Sequence, residues 1–131
     1  MRGTIQPVLT GDAPAPAGHY SQAVRAGDHL YISGQLPIRA DGATLNDMAF
    51  EAQAAQAIDN MLAILRAAGG TPDHLARVTA YIVGVENWPH FNAVYAAKLG
   101  DARPARTVVP VPELHYGYLV EIDAVALFPR D

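Results

Sequence analysis

The strongest periodic signal in this chain is helical, and it lies between segments that are typical of β-strands. From residue 47 to residue 68, apolar side chains recur at spacings of three and four, which places them on one face of a helix. The residues on that face are Phe50, Ala54, Ile58, Met61 and Leu65. Asp47 is the predicted N-cap, and the segment Gly69-Gly70-Thr71-Pro72 is expected to end the helix.

A second helix and several strands complete the predicted order of elements. A helix is predicted over residues 88–99, with Asn87 as its cap and Pro89 in its first turn. Runs of β-branched and aromatic residues predict strands at 22–24, 29–33, 78–83, 106–111 and 117–128, the last being the longest. One more strand is considered at residues 4–7. The resulting order is β-β-α-β-α-β-β, with the extra strand at the start.

This order predicts an α+β fold, formed by one domain over residues 1–131. We expect a mixed sheet of five or six strands with two helices packed on one face. Two helices cover only one side of such a sheet, and apolar residues recur on both faces of several strands. We therefore expect a partner subunit to cover the second face.

Composition excludes several classes of protein. Apolar residues make up 50% of the chain and charged residues 17%, which is incompatible with a disordered chain. The absence of Cys excludes thiolate nucleophiles, iron–sulfur clusters and cysteine zinc sites. A net charge of -4 argues against a nucleic-acid partner. No secretory signal and no long apolar run is visible, so we expect a cytoplasmic protein without a membrane partner.

Motifs for the common cofactors and metals are also missing. The sequence has no P-loop, no dinucleotide-binding glycine fingerprint, no HExxH and no GxSxG. No pair of its five His has the spacing of a helical metal site, so no metal or cofactor is expected. The single lysine, Lys98, falls on the polar face of the second helix, which disfavours Schiff-base chemistry.

Three charged residues in predicted strands each allow two roles. Glu121 and Asp123 lie on one face of the last strand, roughly 7 Å apart. That spacing is compatible with a pair of catalytic carboxylates, or with surface acids that pair with arginine. Arg106 begins an otherwise apolar strand. Its planar guanidinium could bind a substrate carboxylate, or form an internal salt bridge to Glu121 or Asp123.

Several segments, taken in chain order, resemble the signatures of one family. They are residues 18–24 (GHYSQAV), 32–37 (ISGQLP), 91–95 (FNAVY), 104–106 (PAR) and 120–126 (VEIDAVA), with Gln53 and Asn60 in the first helix. Together they resemble the Rid family of reactive intermediate deaminases, which is also called the YjgF/RidA or endoribonuclease L-PSP family. The resemblance covers nearly the whole chain. It implies a sheet of the chorismate mutase type, a homotrimer, and ligand clefts between subunits.

The resemblance also implies an activity and the residues that perform it. Family members hydrolyse enamines and imines such as 2-aminoacrylate to 2-keto acids and ammonia, so the implied enzyme is a 2-iminobutanoate/2-iminopropanoate deaminase-type hydrolase without a cofactor. Arg106 would bind the substrate carboxylate and Glu121 would position the attacking water. Tyr20 and Asn92 would complete the catalytic group. Ser33, Gly34 and His115 would line the substrate pocket.

The chain departs from the family pattern at three places. His19 replaces the usual proline, and Val108 replaces a frequent cysteine, which excludes thiol chemistry at that position but not hydrolysis. Residues 114–117 (LHYG) replace a proline-containing turn, so a larger enamine such as an aminomuconate-type compound is a second candidate substrate. The same residues would also suit a non-enzymatic trimer that binds 2-keto acids or acts as a chaperone. An endoribonuclease is less favoured.

Overall fold

A computed structural model describes residues 4–128, in which six strands form one mixed sheet with two helices on one face. The strands are β1 (Ile5–Val8), β2 (Ala23–Ala26), β3 (His29–Gln35), β4 (Leu75–Val83), β5 (Ala105–Val111) and β6 (Val120–Leu127). The helices are α1 (Phe50–Ala67) and α2 (Trp88–Leu99). The strand order is β1-β2-β3-β6-β4-β5, and only the β4–β5 pair is parallel. The predicted fold class is confirmed, with the strand considered at residues 4–7 present as β1.

The predicted apolar face of α1 packs on the sheet. Ile58, Met61 and Leu65 are completely buried, and they belong to one core cluster with side chains of β3, β4 and β6. Helix α2 lies beside α1 and buries three side chains, Phe91, Tyr95 and Leu99. Two contacts join the exposed sides of the helices: a ring nitrogen of His90 lies 3.0 Å from a carboxylate oxygen of Glu51, and Lys98 forms an ion pair with Asp59 at 2.9 Å. Lys98 is therefore a surface residue with a carboxylate partner, as its place in the sequence predicts.

The prediction of Asp47 as the N-cap of α1 is wrong. The helix begins at Phe50 with Ala49 in the cap position, and no side chain caps it. Residues 45–48 form a turn instead, because the Met48 amide donates a hydrogen bond to the Leu45 carbonyl at 2.9 Å. The buried ring of Phe50 anchors the first turn in the core. Tertiary packing thus sets the start of this helix, rather than a local cap.

Strand boundaries also differ from the prediction: β2 extends to Ala26, β4 begins at Leu75, and the differences in β3 and β6 affect the site. The last strand, β6, has eight residues and is shorter than β4, which has nine. It starts late because His115–Gly117 form a short 3-10 turn in which Tyr116 has a φ of 58°. Strand β3 continues through Gly34 to Gln35, and its pairing with β6 shifts register between Ile32 and Gln35. This irregularity marks a β-bulge at residues 33–34.

The two faces of the sheet have different environments. In β6, Val120, Ile122 and Ala124 are buried towards the helices, whereas the alternate residues Glu121 and Asp123 lie on the opposite face and are half-buried. This is the alternation that the sequence predicts. Both helices lie on one face, so the second face keeps large exposed side chains. Tyr31 is 46% exposed and Leu127 47% exposed.

Candidate functional site

A cavity of about 260 Å³, here called the Gly34 cavity, opens beside the bulge in β3. Three residues predicted for the site line it: Tyr20, Gly34 and His115. Tyr20 is half-exposed, and its hydroxyl accepts a long hydrogen bond from the Ala17 amide at 3.4 Å. His19, next to it, is exposed and does not line the cavity. The Gly34 cavity therefore brings together one half of the predicted site.

Gly34 makes room for the Glu121 carboxylate. A β-carbon built at position 34 would collide with a carboxylate oxygen of Glu121, so no larger residue fits there without displacing that group. Because strand β3 bulges there and Gly34 has no side chain, the Glu121 carboxylate comes close to the backbone at the edge of the cavity. This is the close approach for which a strand glycine is suited. Glu121 thus belongs structurally to the same half-site as Gly34.

The acidity of Glu121 depends on its surroundings. Burial raises the pKa of its carboxyl above the ordinary value, and the negative charge of Asp123 raises it further. His115 acts in the opposite direction and lowers that pKa. A half-buried carboxylate with a raised pKa is a better proton acceptor than an exposed one, which suits a group that takes a proton from water.

A second cleft, of about 330 Å³, contains the other half of the predicted site. Here called the Arg106 cleft, it lies between α2 and the start of β5 and is lined by Asn92, Tyr95 and Arg106. The Arg106 guanidinium donates a hydrogen bond to the Asn92 side-chain oxygen at 3.0 Å. It also lies over the Tyr95 ring, 5.0 Å from the ring centre. These two contacts fix the guanidinium while leaving donors free to bind a planar anion.

Tyr95 is a residue of this cleft that the sequence analysis did not single out. Its ring is buried, and its hydroxyl has no hydrogen-bond partner among the residues that the structure describes. Burial raises the pKa of that hydroxyl, whereas Arg106 lowers it. Two signals for it were available in the sequence, its place at the end of the 91–95 signature (FNAVY) and its helical spacing from Asn92, and the spacing equally fits a core residue.

Arg106 and Glu121 lie on opposite faces of the sheet. Arg106 pairs in register with Val78, which is buried against the helices. Glu121 pairs with Tyr81, which lies on the other face of the same strand. The internal salt bridge from Arg106 to Glu121 or Asp123, one of the two roles considered for this arginine, is therefore excluded. Asp123 is instead close to Arg77, which lowers its pKa against the larger raising effect of burial.

Ser33 has a structural role in this chain. Its hydroxyl donates a hydrogen bond to the Ser21 carbonyl at 2.6 Å, and its amide donates to the Gln22 carbonyl at 2.9 Å. The side chain is therefore directed towards the loop before β2, and Ser33 does not line the Gly34 cavity of the single chain. Its hydroxyl holds that loop against β3.

Buried amide side chains hold the walls of the Gly34 cavity, and the sequence analysis did not assign them this role. Gln22, 1% exposed, accepts a hydrogen bond from the Thr10 amide at 2.7 Å and donates to the Thr10 and Pro14 carbonyls. Asn60, also 1% exposed, donates to the carbonyls of Leu36 and Ile38 at 3.1 and 2.8 Å. These bonds fix two loops that line the cavity.

Two further observations concern metals and membranes. Within residues 4–128, no three His, Asp or Glu side chains lie close enough together to hold a metal ion. Over the same residues, neither helix is long and apolar enough to cross a bilayer.

Comparisons with known proteins agree on one family. The family model described as Endoribonuclease L-PSP matches residues 10–128. A RutC family protein of Pyrococcus horikoshii is 38% identical over 119 residues, which are 91% of this chain and 94% of the relative. A crystal structure of RidA from the Antarctic bacterium Psychrobacter is 36% identical, with a TM-score of 0.89 over 94% of this chain and 99% of that one.

A second structural neighbour was solved with a ligand. It is TdcF of E. coli with bound serine, which is 27% identical to this chain. Its TM-score is 0.90, over 95% of this chain and 99% of that one. The family model and these relatives cover nearly all of the sequence, and their fold agrees with the six-stranded sheet and two helices described above. The chain therefore belongs to the Rid family, whose sequence signature bears the name Endoribonuclease L-PSP.

Proposed function

We propose that this chain hydrolyses reactive 2-imino acids and their enamine tautomers to 2-keto acids and ammonia, in a site shared between two copies of the chain. The observation that carries the proposal is the separation of the two half-sites. A fixed guanidinium lies in one cleft and a carboxylate with a raised pKa lies beside another, on opposite faces of one sheet. The Arg106 cleft contains the guanidinium but not Glu121, and the half-site at Gly34 contains the Glu121 carboxylate but not Arg106.

A homotrimer is the assembly that we propose for joining the halves. In a ring of three chains, the Arg106 cleft of each copy faces the Gly34 cavity of the next copy, which gives three equal sites. The exposed sheet face supports such an assembly, because Tyr31 and Leu127 leave large apolar side chains uncovered in the single chain. Neighbouring subunits would bury these side chains.

Arg106 would bind the substrate carboxylate. Its hydrogen bond to Asn92 and its position over the Tyr95 ring hold the guanidinium plane in one orientation. A planar fork of donors binds a carboxylate through two parallel hydrogen bonds, which places the adjacent imine carbon at a defined point. Asn92 would therefore act on the substrate through the orientation of Arg106.

Glu121 would activate the attacking water. The water oxygen bonds to the imine carbon while the carboxylate takes one of its protons, and the electrons of the C=N bond move to nitrogen. The nitrogen takes this proton from Glu121, which gives a neutral amino alcohol. Glu121 then transfers the hydroxyl proton to the nitrogen as the C=O bond forms and the C–N bond breaks, so ammonia leaves and the carboxylate is regenerated. An imine is already electrophilic, so this route needs neither a metal ion nor a covalent intermediate.

A small amino-acid-like ligand is consistent with the neighbours of this chain. The E. coli relative was solved with serine, whose carboxylate and amino group resemble those of a 2-imino acid. Imines of three and four carbons, 2-iminopropanoate and 2-iminobutanoate, are the simplest substrates that fit the proposal. A single domain over residues 1–131 and a cytoplasmic location stay predictions from the sequence.

The test is a semicarbazide competition assay with the wild-type protein and Arg106→Ala. An amino-acid oxidase generates the imine, semicarbazide traps it, and a deaminase lowers the rate of semicarbazone formation by consuming the imine first. We expect wild type to suppress the signal and Arg106→Ala to lose about 100-fold or more of kcat/KM, because the substrate carboxylate loses its charged partner. Lys98→Ala is the matched control, since it removes a surface cation that pairs with Asp59.

Three results would contradict the proposal in whole or in part. Binding of pyruvate that depends on Arg106, without loss of any imine, would indicate a 2-keto-acid-binding trimer. Suppression of semicarbazone formation by Arg106→Ala at the wild-type rate would remove Arg106 from the mechanism. Tight RNA binding with a steep dependence on salt would favour an endoribonuclease, against the net charge of -4.

A further inference from the structure

A larger groove continues from the Gly34 cavity. The groove has a volume of about 640 Å³, and Thr44, Asn46 and Tyr118 lie along it. It shares part of its wall with the Gly34 cavity, and the shared residues are Pro14, Ala15, Ala17, Ile38 and Tyr116. We call it the Tyr116 groove. The two spaces together greatly exceed what a three- or four-carbon imino acid fills, and they reach the size of common small-molecule sites.

Tyr116 lies where the two spaces meet, in an unusual conformation. Its φ is 58°, and it is the only residue other than glycine with a positive φ within residues 4–128. The Asn46 side chain donates a hydrogen bond to the Tyr116 carbonyl at 3.2 Å. The ring contacts His115 at 3.8 Å between centres and meets the edge of the Tyr118 ring at 6.4 Å. A costly backbone conformation thus holds an aromatic ring that remains 70% exposed.

The residues that line the groove and the cavity favour an uncharged ligand side chain. The shared residues are apolar or aromatic, and the groove adds the hydroxyl and amide groups of Thr44 and Asn46. The one ionisable carboxyl along it, Asp41, accepts a hydrogen bond from the Ala43 amide. Within residues 4–128, no lysine or arginine lines the cavity or the groove. A second substrate carboxylate would therefore meet Asp41 and no lysine or arginine, which disfavours dicarboxylates such as aminomuconate-type enamines.

We propose that the Tyr116 groove is a side-chain subsite of the deaminase site, and that it selects imino acids with large, uncharged and above all aromatic side chains. Tyr116 is the residue that determines this specificity. With the substrate carboxylate on Arg106 and the imine carbon beside Glu121, a side chain longer than ethyl passes His115 and stacks on the exposed Tyr116 ring. This inference rests on the proposed function and names the substrate class of the same site.

The first experiment compares substrates. Amino-acid oxidases supply the imines of alanine, phenylalanine and glutamate, and kcat/KM for each is obtained from semicarbazide competition. We expect kcat/KM for the phenylalanine imine to exceed that for the alanine imine by about tenfold or more, as for other pockets that bind an additional apolar group. The glutamate imine should be processed more slowly than the phenylalanine imine, because no lysine or arginine along the groove or the cavity pairs with its second carboxylate.

The second experiment assigns the preference to Tyr116. Glycine adopts a φ of 58° without strain, so Tyr116→Gly removes the ring and preserves the turn. The ratio of kcat/KM for the phenylalanine imine to that for the alanine imine should fall about tenfold in Tyr116→Gly. Tyr116→Phe is the matched control, because it keeps the ring, and it should retain the ratio. Ala15→Phe, which fills the groove from its shared wall, should lower the ratio independently of the turn.

The outcomes separate this inference from the proposed function. If the alanine imine is hydrolysed but is preferred over the phenylalanine imine, the subsite is overturned while the deaminase proposal stands. The subsite is also overturned if the ratio of kcat/KM for the phenylalanine imine to that for the alanine imine is unchanged in both Tyr116→Gly and Ala15→Phe. If wild type hydrolyses no imine at all, the proposed function is wrong, and the proposed subsite is then wrong as well.

Discussion

The Glu121 carboxyl has charged neighbours that act on it in opposite directions. Asp123, two residues along the same strand, raises its pKa, and His115, from the turn before that strand, lowers it. Only the ionised form of Glu121 accepts a proton from water, so activity should fall as the pH decreases through its pKa. Because burial and Asp123 both raise this pKa, the acid limb of the activity profile should lie above the range of an exposed glutamate.

The opposing effects of Asp123 and His115 on the pKa of Glu121 predict opposite shifts of the acid limb in two variants. Asp123→Asn removes a negative neighbour, so the pKa of Glu121 should fall and the acid limb of kcat/KM should move to lower pH. His115→Ala removes a positive neighbour and should move the limb to higher pH. The measurement is kcat/KM for the alanine imine across the acid range in all three proteins. Acid limbs that coincide in all three proteins would mean that Glu121 is not the titrating base.

The residues of the half-sites differ in how well the sequence predicts them. Arg106 stood out as a charge in an apolar strand, and Glu121 stood out by its alternation with buried residues. Their positions on opposite faces did not follow from either pattern. Those positions depend on the register of β4 with both β5 and β6, which brings together residues far apart in the chain. The role of Gly34 depends in the same way on a side chain from another strand.

Among the secondary-structure elements, helix α1 supports the wall of the Gly34 cavity through one buried side chain. The Asn60 amide donates to the carbonyls of Leu36 and Ile38, and these two residues also line the cavity. The helix therefore positions a loop that lies outside the six strands. Near the start of α1, Gln53 likewise holds residues outside the helices and strands. It accepts a hydrogen bond from the Leu119 amide and donates one to the Met48 carbonyl.

Asn60→Ala should destabilise the chain and loosen this wall. The substitution leaves two carbonyl groups without their donor and opens a small cavity, which should cost about 1–3 kcal/mol in the free energy of unfolding. The measurement is chemical denaturation followed by circular dichroism. Gln56→Ala is the matched control on the same helix, because it removes only the hydrogen bond to the Asn60 oxygen and should cost less. Equal losses in the two variants would contradict this role of Asn60.

The elements were predictable where periodicity is strong and local. Helix α2 has the bounds that its sequence predicts, and the glycine after it ends it as expected. The errors include the start of α1, the end of β3 and the start of β6, where contacts between residues distant in the chain decide the conformation. The Gln53 amide holds the approach to α1, and the turn containing Tyr116 delays β6. Neither contact leaves a periodic signal in the sequence.

At the scale of the whole molecule, the proposed trimer predicts complementation between two inactive variants. Arg106→Ala lacks the guanidinium and Glu121→Gln lacks the base, so neither protein alone should be active. In a mixed trimer, however, one interface joins an intact Arg106 cleft to an intact Glu121. Random mixing in equal amounts should restore about one quarter of the wild-type activity, since three trimers in four are mixed and each has one working site in three.

The complementation assay uses unfolding and refolding of the mixed variants, followed by the imine assay. Refolding each variant separately and then combining the products is the control, because intact trimers that do not exchange subunits should stay inactive. Activity in neither preparation would mean that Arg106 and Glu121 act within one chain or that refolding failed, and refolded wild type distinguishes the two. The sheet places them on opposite faces, which disfavours the first explanation.

The separation of Arg106 and Glu121 across one sheet has a kinetic consequence. If neither face alone performs the reaction, an isolated chain fresh from the ribosome is inert, and turnover begins only when copies meet. Specific activity should then depend on protein concentration and decline steeply once dilution dissociates the ring. In a cell, a modest change in synthesis near that threshold would alter imine clearance more than proportionally, so abundance itself would act as the control on flux.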